Sequence, residues 1–518
     1  MLRRKVLGIA ASLRNARWGA GKRSLIERLC ELETKEQLLA YLTAESHLLL
    51  ENHLDAGRRE GKDFREIYEN LKKNCGDAGL SNSEVALAAA LWAAHKEGAD
   101  IEHVSLAEHF PASGQVRHPE ILRAKLLEAD GLIVSGPVYF GDRGSLAESL
   151  IQFMASDPEL KQAMRGRLYA GIAVGAKRNG GQETTLIYQL LDMVNLGLLA
   201  VGNDSDTTAQ YGGTCHAGDV GAMHKDSYGL DTSIGTGRRM ARVLKLMGPQ
   251  QSLRDVPKTL FLILQDSNNI AVNAVARLVS LFGREQTATV VNVTGRRITR
   301  CLACDICPAR VGRDEDYRCV INSEADSMRE LHGSLLYHDL IVPVGVTTLG
   351  PGVESKYQVF LERTRYLRRA DYIWSDVLMA PLVLEESGDC RSLSSRMVTS
   401  FIRHHTVMAK PMIGCLENGV VSNYRSLEED FARTLGFAAR LTAGRLAQAG
   451  KAAPMNRYNP VGYVLSADKE KEDERCKRRS GLGDARRERL IAEAGSRLAR
   501  TANAKSPFLG CADESKNN

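Results

Sequence analysis

Short apolar runs alternate with helically spaced apolar positions along most of this chain, the pattern of strands and helices laid down in turn. Lys5 to Ala10 reads as a first strand, and Ala99-Asp-Ile-Glu-His-Val-Ser-Leu106 alternates like a second. A helix is predicted at about Pro119 to Glu128. In Gly131-Leu-Ile-Val-Ser-Gly-Pro-Val-Tyr-Phe-Gly141, the run Leu132 to Val134 reads as a buried parallel strand stopped by Ser135, Gly136 and Pro137. Past that stop come an exposed aromatic pair, Tyr139 and Phe140, and then Gly141. A helix at Ser145 to Met154, a fourth strand at Leu168 to Gly175, a helix at Thr184 to Leu196 and a short fifth strand at Leu198 to Gly202 follow. Gln210 to Asp219 reads as a polar, glycine-rich loop, and Gly235 to Met247 as a basic helix.

Between about Arg17 and Gly79 the pattern is different. Leu25, Ile26, Leu29 and Leu32, then Leu38, Leu39 and Leu42, then Phe64, Ile67, Tyr68 and Leu71 recur at helical spacing, predicting two or three inserted helices. The insert is either a surface decoration or oligomer contact, or a lid. Gly248 to Pro257 has linker character. The strand and helix pattern then restarts: strand Thr259 to Leu264, helix Ile270 to Leu281, strand Thr289 to Val293, strand His338 to Val344, helix Gly352 to Arg369, and strands at Leu382 to Leu384 and Met412 to Cys415. The predicted organisation is a first domain over 1–249 with its insert at about 17–79, a second over 256–446, and a charged, flexible tail over 450–518.

Composition narrows this picture only a little. The chain has 518 residues, 43% of them apolar, enough for two cores. A net charge of +6 is mild for this length and does not point to specific nucleic-acid binding. No run reaches the ~18 apolar residues of a membrane span, and the apolar stretch after Met1-Leu-Arg-Arg is too short for a signal peptide, so a cytoplasmic protein is expected. In that compartment, eleven cysteines argue for thiols or metal ligation rather than a disulfide framework.

The candidate chemistry sits where strands end, because ligands of open α/β sheets bind past the carboxyl ends of the strands. Gly8-Ile-Ala-Ala-Ser-Leu-Arg-Asn15 leads out of the first strand, and Ser12, Arg14 and Asn15 are the residue types that hold a phosphate. Ser81, Asn82 and Ser83 open a helix at Leu80-Ser-Asn-Ser-Glu84 and are good N-caps. Pro137, Val138, Tyr139, Phe140 and Gly141 offer a flat apolar face. Gly180, Gly181 and Gln182 follow the fourth strand. Cys215 and His216 are adjacent, but without a placed partner they read as bystanders.

Ser135-Gly-Pro-Val-Tyr-Phe-Gly141 resembles the isoalloxazine-binding loop of the NADPH-dependent FMN reductase family, which has the flavodoxin-like fold. Gly8 to Asn15 is similar to the family's phosphate loop, with Ala11 and Leu13 replacing its Gly and Pro. Its usual continuation is displaced to Ser81–Ser83 by the insert, and Gly180-Gly-Gln182 looks like the third flavin loop. The resemblance implies two flavodoxin-like, doubly wound, parallel five-stranded sheets in tandem, the first with a helical insertion in its phosphate loop. It further implies FMN held by Ser12, Arg14, Asn15, Ser81–Ser83, Val138–Gly141 and Gly180–Gln182, with NAD(P)H as donor. The acceptor would be a quinone, flavin or other small molecule, or a redox protein. The second unit would pack as a pseudo-dimer partner within the chain, itself open to homo-oligomerisation.

The second unit lacks these loops: Gln265-Asp-Ser-Asn-Asn-Ile270 has no Gly or Arg, and Thr347-Thr-Leu-Gly350 stands where the aromatic pair would be. It carries instead Cys301-Leu-Ala-Cys-Asp-Ile-Cys307 and Cys319. This resembles the cluster motif of the iron–sulfur flavoproteins, and equally a structural cysteine stretch of flavodoxin-like quinone reductases that ends in Cys-Val-Ile and an acidic pair. Three readings stay open for Cys301, Cys304, Cys307 and Cys319: a [4Fe–4S] cluster, unligated structural cysteines, or zinc. The function expected is an FMN-dependent NAD(P)H oxidoreductase. The alternatives are an FMN/iron–sulfur electron-transfer protein between partners, and a non-catalytic flavin-binding sensor or scaffold.

Overall fold

The computed structural model describes residues 4–12, 20–73, 79–111, 116–204, 210–248, 257–283, 287–304, 317, 319–369, 372–388, 392–448, 488–489 and 491–493. In chain order the first half carries β1 (Lys5–Ala10), α1 (Ala20–Glu31), α2 (Lys35–His53), α3 (Phe64–Lys73), α4 (Asn82–Lys96), β2 (Asp100–Ser105), α5 (Leu106–His109), α6 (Pro119–Glu128), β3 (Gly131–Tyr139), β4 (Asp142–Arg143), α7 (Ser145–Ser156), α8 (Pro158–Met164), β5 (Leu168–Gly175), α9 (Gln182–Asn195), β6 (Leu199–Ala200), β7 (Gly212–His216) and α10 (Ser227–Leu246). The second half carries β8 (Thr259–Asp266), α11 (Ile270–Leu281), β9 (Ala288–Asn292), α12 (Met328–Leu336), β10 (Leu340–Thr347), β11 (Glu354–Ser355), α13 (Tyr357–Arg363), α14 (Arg365–Arg369), β12 (Leu378–Met379), β13 (Leu382–Glu386), α15 (Leu393–Phe401), β14 (Val407–Met408), β15 (Met412–Glu417), β16 (Val420–Val421) and α16 (Tyr424–Gln448).

Two sets of parallel strands form. The first runs β2-β1-β3-β5, with β6 beside the start of β5 (Leu168↔Leu199) and β7 beside its end (Gly175↔His216). The second runs β9-β8-β10, with β12 beside the start of β10 and β13 beside its end, and β14 and β15 next in turn. Read by position, both follow the order 2-1-3-4-5 of the flavodoxin-like fold. Every residue of β5 and of β10 is buried, as expected for central parallel strands with helices on both faces. The sets meet where β6 and β14 pair, Met408 against Ala200, and there the strands are antiparallel. A single sheet therefore continues through both sets, with strand direction reversed halfway.

Side chains also cross between the sets. The buried Arg239 of α10 donates to the carbonyls of Ser375 and His405, and Arg403 Nε donates to Gln210 Oε1 at 2.7 Å. Among the described residues the insert holds α1, α2, a short π-helical turn at Leu54–Arg58 and α3, packed through buried Leu25, Leu29, Leu32, Leu38, Leu42 and Leu49, with Trp92 Nε1 of α4 bonded to Leu32 O at 2.8 Å. Its third helix keeps Phe64 and Tyr68 exposed. Among the described residues no helix is long and apolar enough to cross a membrane.

Several elements differ from expectation. β3 does not stop at Ser135 but continues to Tyr139. β1 ends opposite Ser135, so from Gly136 onward β3 has a parallel neighbour on one side only, and a proline is tolerated at such an edge. The expected loop 210–219 contains strand β7, because β5 offers its second half as an open partner once β6 has ended. Helix α10 starts at Ser227 rather than Gly235. Its glycines allow a close approach: a Cβ on Gly237 would lie 1.8 Å from Ala90 O of the alanine-rich α4. The helix expected over 352–369 is broken into α13 and α14, behind the short strand β11.

Arg239→Met should leave two buried carbonyls without a donor, at about 1–3 kcal/mol each. We expect roughly 2–5 kcal/mol less stability in denaturant unfolding, and an unchanged midpoint would remove Arg239 as a tie between the sets.

Candidate functional site

The predicted flavin-site residues that are described gather at the carboxyl edge of the first set. Ala11 N donates to Ser135 O at 2.8 Å, and a Cβ on Gly136 would sit 3.2 Å from Ala11 Cβ, so the turn after β1 lies against β3. Ser12, 9% exposed, follows directly. Arg14 and Asn15 lie outside the described residues. Opposite stands the N-terminus of α4. Ser81 caps it: Ser81 Oγ accepts from Glu84 N at 3.3 Å, and Ser81 N donates to Glu84 Oε2 at 2.9 Å. The N–H groups of Asn82 and Ser83 have no intrahelical acceptor, and the helix dipole makes this end attractive to an anion. Ser135 Oγ donates to Ser83 O at 2.8 Å, fixing the helix start to β3. The Asn82 side chain is spent elsewhere, on Asp219 O (2.9 Å) and Met223 N (3.3 Å). Of Asn82, then, the backbone remains for a phosphate.

Beyond Pro137 the chain makes a hairpin, Val138 opposite Arg143 and Tyr139 opposite Asp142. Its turn residues Phe140 and Gly141 both have positive φ, 52° and 79°, as a two-residue hairpin turn requires. Phe140 is fully exposed and Tyr139 is 57% exposed. Arg143 clamps the hairpin from behind, at 2.7 Å from Glu148 of α7 and 2.6 Å from Asp192 of α9. The third loop touches it: a Cβ on Gly181 (φ +100°) would fall 2.7 Å from Gly141 Cα and 3.3 Å from Val138 Cγ1. Gln182 is buried, its amide donating to Lys177 O and Cys215 O and its Oε1 accepting from Gly180 N. Gln182 thus shapes the loop from within, leaving Gly180 and Gly181 at its surface.

Sequence reasoning missed Ser135, Arg143 and the Arg178–Asp226 ion pair that braces the third loop, where Arg178 also donates to Thr214 O. Ser83, Asp192 and Asp226, which partner Ser135, Arg143 and Arg178, lie about fifty residues away in the chain, so no local spacing marks them. Cys215 lies fully buried in β7, where burial pushes its thiol up to about 12. Such a thiol is no nucleophile near neutral pH.

In the second set the equivalent positions are closed. Asp266, 5% exposed, places its Oδ1 on Ala271 N (2.8 Å) and Ser267 N (2.7 Å), filling the N-terminus of α11 with its own carboxylate. Thr347 is buried, and Leu349 N donates to Glu386 Oε2. Of the four motif cysteines, Cys301 and Cys304 are half-buried, Cys319 is buried in an apolar core, and Cys307 lies outside the described residues. Among the described residues no three His, Cys, Asp or Glu side chains gather as a metal site. What organises this segment is Arg363, fully buried, bonded to Asp326, Tyr317 Oη, Thr299 O and Ile321 O. Burial alone would raise the Asp326 carboxyl; the Arg363 guanidinium and Thr299 N–H outweigh it and hold the group below the usual carboxylate range. Because β6 and β14 are antiparallel, the loop after β9 opens on the opposite edge from the loop after β3. Seven inter-strand steps separate β3 from β9, roughly 34 Å along the sheet. A pseudo-dimer in which the second unit brings Cys301 and Cys304 beside the aromatic hairpin is not the arrangement seen.

The family model for NADPH-dependent FMN reductase matches residues 75–205, which begin just before α4 and take in the hairpin and the third loop. An iron–sulfur flavoprotein of Methanocaldococcus jannaschii is 36% identical over 181 residues, covering 32% of this chain and 92% of that protein. The chain belongs to the FMN reductase and iron–sulfur flavoprotein family. An iron–sulfur flavoprotein of Methanosarcina thermophila is 29% identical over 126 residues, 24% of this chain and 60% of that one. A WrbA-like flavodoxin structure from Agrobacterium tumefaciens has 14% identity and a TM-score of 0.24, covering 47% of this chain and 98% of its own. Family members are recognised here through the phosphate-side helix and two loops; the insert 17–79 falls largely outside the matched stretch.

Removing both aromatic rings of the hairpin should spare the fold, since exposed side chains usually contribute within ±0.5 kcal/mol. Tyr139→Ala with Phe140→Ala is expected to weaken FMN binding about tenfold, as each ring contact is worth ~0.5–1.5 kcal/mol. Arg143→Ala, which frees the hairpin without touching its rings, should weaken it in the same direction. Fluorescence titration of FMN measures both; global unfolding of the double variant would make the pair core residues.

Proposed function

We propose that the first strand set holds FMN and that the protein is an FMN-dependent oxidoreductase taking a hydride from NAD(P)H and reducing a quinone, flavin or other small acceptor. The observation that carries this reading is the bare Phe140. A fully exposed aromatic with positive φ, held rigidly past a strand end beside an open helix N-terminus, makes sense as one wall of a flat aromatic ligand with a phosphate. The donor set fits that ligand. Ser12 and the N–H groups of Asn82 and Ser83 would take the phosphate, joined by Arg14 and Asn15. Val138 to Gly141 would support the ring, and the backbone of Gly180 and Gly181 would meet its polar edge, where a side chain would block the approach.

FMN, when bound, supplies the acceptance of a hydride and its onward delivery. The chain's own part is to position. Ser135 and Arg143 hold the two sides of the pocket in register, and Gln182 fixes the third loop. No side chain in these loops is required to carry a proton. Of the four cysteines considered for a [4Fe–4S] cluster or zinc ion, Cys307 lies outside the described residues and Cys319 packs into an apolar core, so the reading does not rest on such a group. No step is assigned to such a group.

The test is the visible spectrum of FMN-loaded protein under anaerobic conditions before and after NADPH or NADH. Bleaching of the flavin bands, at a rate unchanged by Cys301→Ser with Cys304→Ser, is expected. Bound FMN that neither nicotinamide reduces would instead favour a flavin-binding scaffold, and loss of reduction in the cysteine variant would favour a relay.

A further inference from the structure

On the edge opposite the aromatic hairpin, at the amino ends of β5 and β6, a cleft of about 120 Å³ opens between the two strand sets. A cavity of about 150 Å³ holds a benzene molecule, so the space suits a small compound of a few heavy atoms. The first set contributes Lys161 and Arg165 from the end of α8, and Asn195 to Gly197 from the turn after α9. The second contributes Lys410 from the turn after β14 and Asp430 and Arg433 from α16.

The concavity is held in shape by packing between the two sets, with Lys161 and Arg433 partly exposed and Arg165 and Lys410 exposed at its rim. Gly166 N donates to Gly197 O at 2.9 Å, joining the two turns of the first set. Arg165 lies against Gly197, whose Cβ would meet Arg165 Cγ at 2.8 Å. Phe437 of α16 covers Gly166 so closely that a Cβ there would fall 2.5 Å from its ring. The helix of the second set is thereby fixed across the turns of the first.

Four cations and one carboxylate line the cleft. Asp430 pairs with Arg433 and lies 3.8 Å from Lys410; Arg433 also lies 3.9 Å from Glu429. Lys161 and Arg165 have no acidic partner within ion-pair distance among the described residues. The carboxyl ends of α8 and α9 add partial negative charge, which offsets part of the excess without cancelling it. What remains is a donor-rich lining to which both strand sets contribute Lys and Arg. Such a set suits a compact polyanion, because guanidinium forks and ammonium groups donate and cannot accept.

We propose that this cleft binds a small phosphoryl anion, of the size of phosphate or pyrophosphate, that bridges the two strand sets. The cleft lies on the edge away from the flavin loops, so its ligand is not the hydride donor and the proposal does not rest on the flavin reading. A ligand gripped by both sets binds the folded chain and not the unfolded one, and therefore stabilises their packing in a concentration-dependent way.

The probe is sodium pyrophosphate, titrated calorimetrically and by thermal unfolding into the full chain saturated with FMN, so that the flavin site is already filled. One saturable site per chain and a rising Tm are expected, with sodium chloride at equal ionic strength as the comparison. Lys161→Gln with Arg165→Gln should raise the pyrophosphate Kd about tenfold or more while FMN affinity is unchanged. Lys410→Gln, on the other wall, should do the same and serves should the first variant fold poorly. The proposal is overturned if no saturable binding occurs, if chloride reproduces the Tm rise, or if neither variant weakens binding.

Discussion

The antiparallel contact between β6 and β14 is the constraint on which the rest depends. A parallel junction would have put all the strand ends on one edge, with the loops of both sets lining a common face. The antiparallel junction turns the second set around instead. Its loops then face the other way, and the amino edge of the first set lies under α16 of the second. The aromatic hairpin, the cysteine segment and the basic cleft owe their separation to this one reversal. Arg239, donating across the junction to two backbone carbonyls, shows how tightly the reversal is held.

The two sets share a strand order and differ at one helix end. At α4, a neutral serine caps the helix and the N–H groups of Asn82 and Ser83 are left to a ligand. At α11, the carboxylate of Asp266 takes that place. Asp266 occupies Ala271 N of α11 itself, whereas at α4 the buried Glu84 carboxylate accepts from Ser81 N, ahead of the helix, and leaves the N–H groups of Asn82 and Ser83 open. That exchange, with Thr347 to Gly350 in place of the aromatic hairpin, is the ground on which we propose the flavin site in the first set and not in the second.

Much of this was legible in the sequence. Buried parallel strands announce themselves as apolar runs, and the runs at β1, β5 and β10 were found close to their bounds. The helix start at Ser81 to Ser83 was legible as an N-cap, whereas the hairpin that turns at Phe140–Gly141 was not foreseen, since β3 was expected to end at Ser135. Other features were not legible because their cause lies elsewhere in the chain. β7 exists because β5 has a free half, and α10 begins early because α4 is lined with alanine that lets glycines approach. The role of Arg363 could not be seen from Cys301 to Cys319, since its partners span 299–326. Spacing alone left the cysteines open between ligands and structural residues, and Cys319 packs among apolar side chains.

The central claim is that one chain has one flavin site, in the first set only. The measurement that bears on it most directly is the stoichiometry of FMN bound by the full chain, titrated to saturation and followed by the quenching of flavin fluorescence. The account predicts one FMN per chain, retained when Asp266 is replaced by Asn. Two per chain, or binding lost with Asp266→Asn and not with changes at Tyr139 and Phe140, would contradict it.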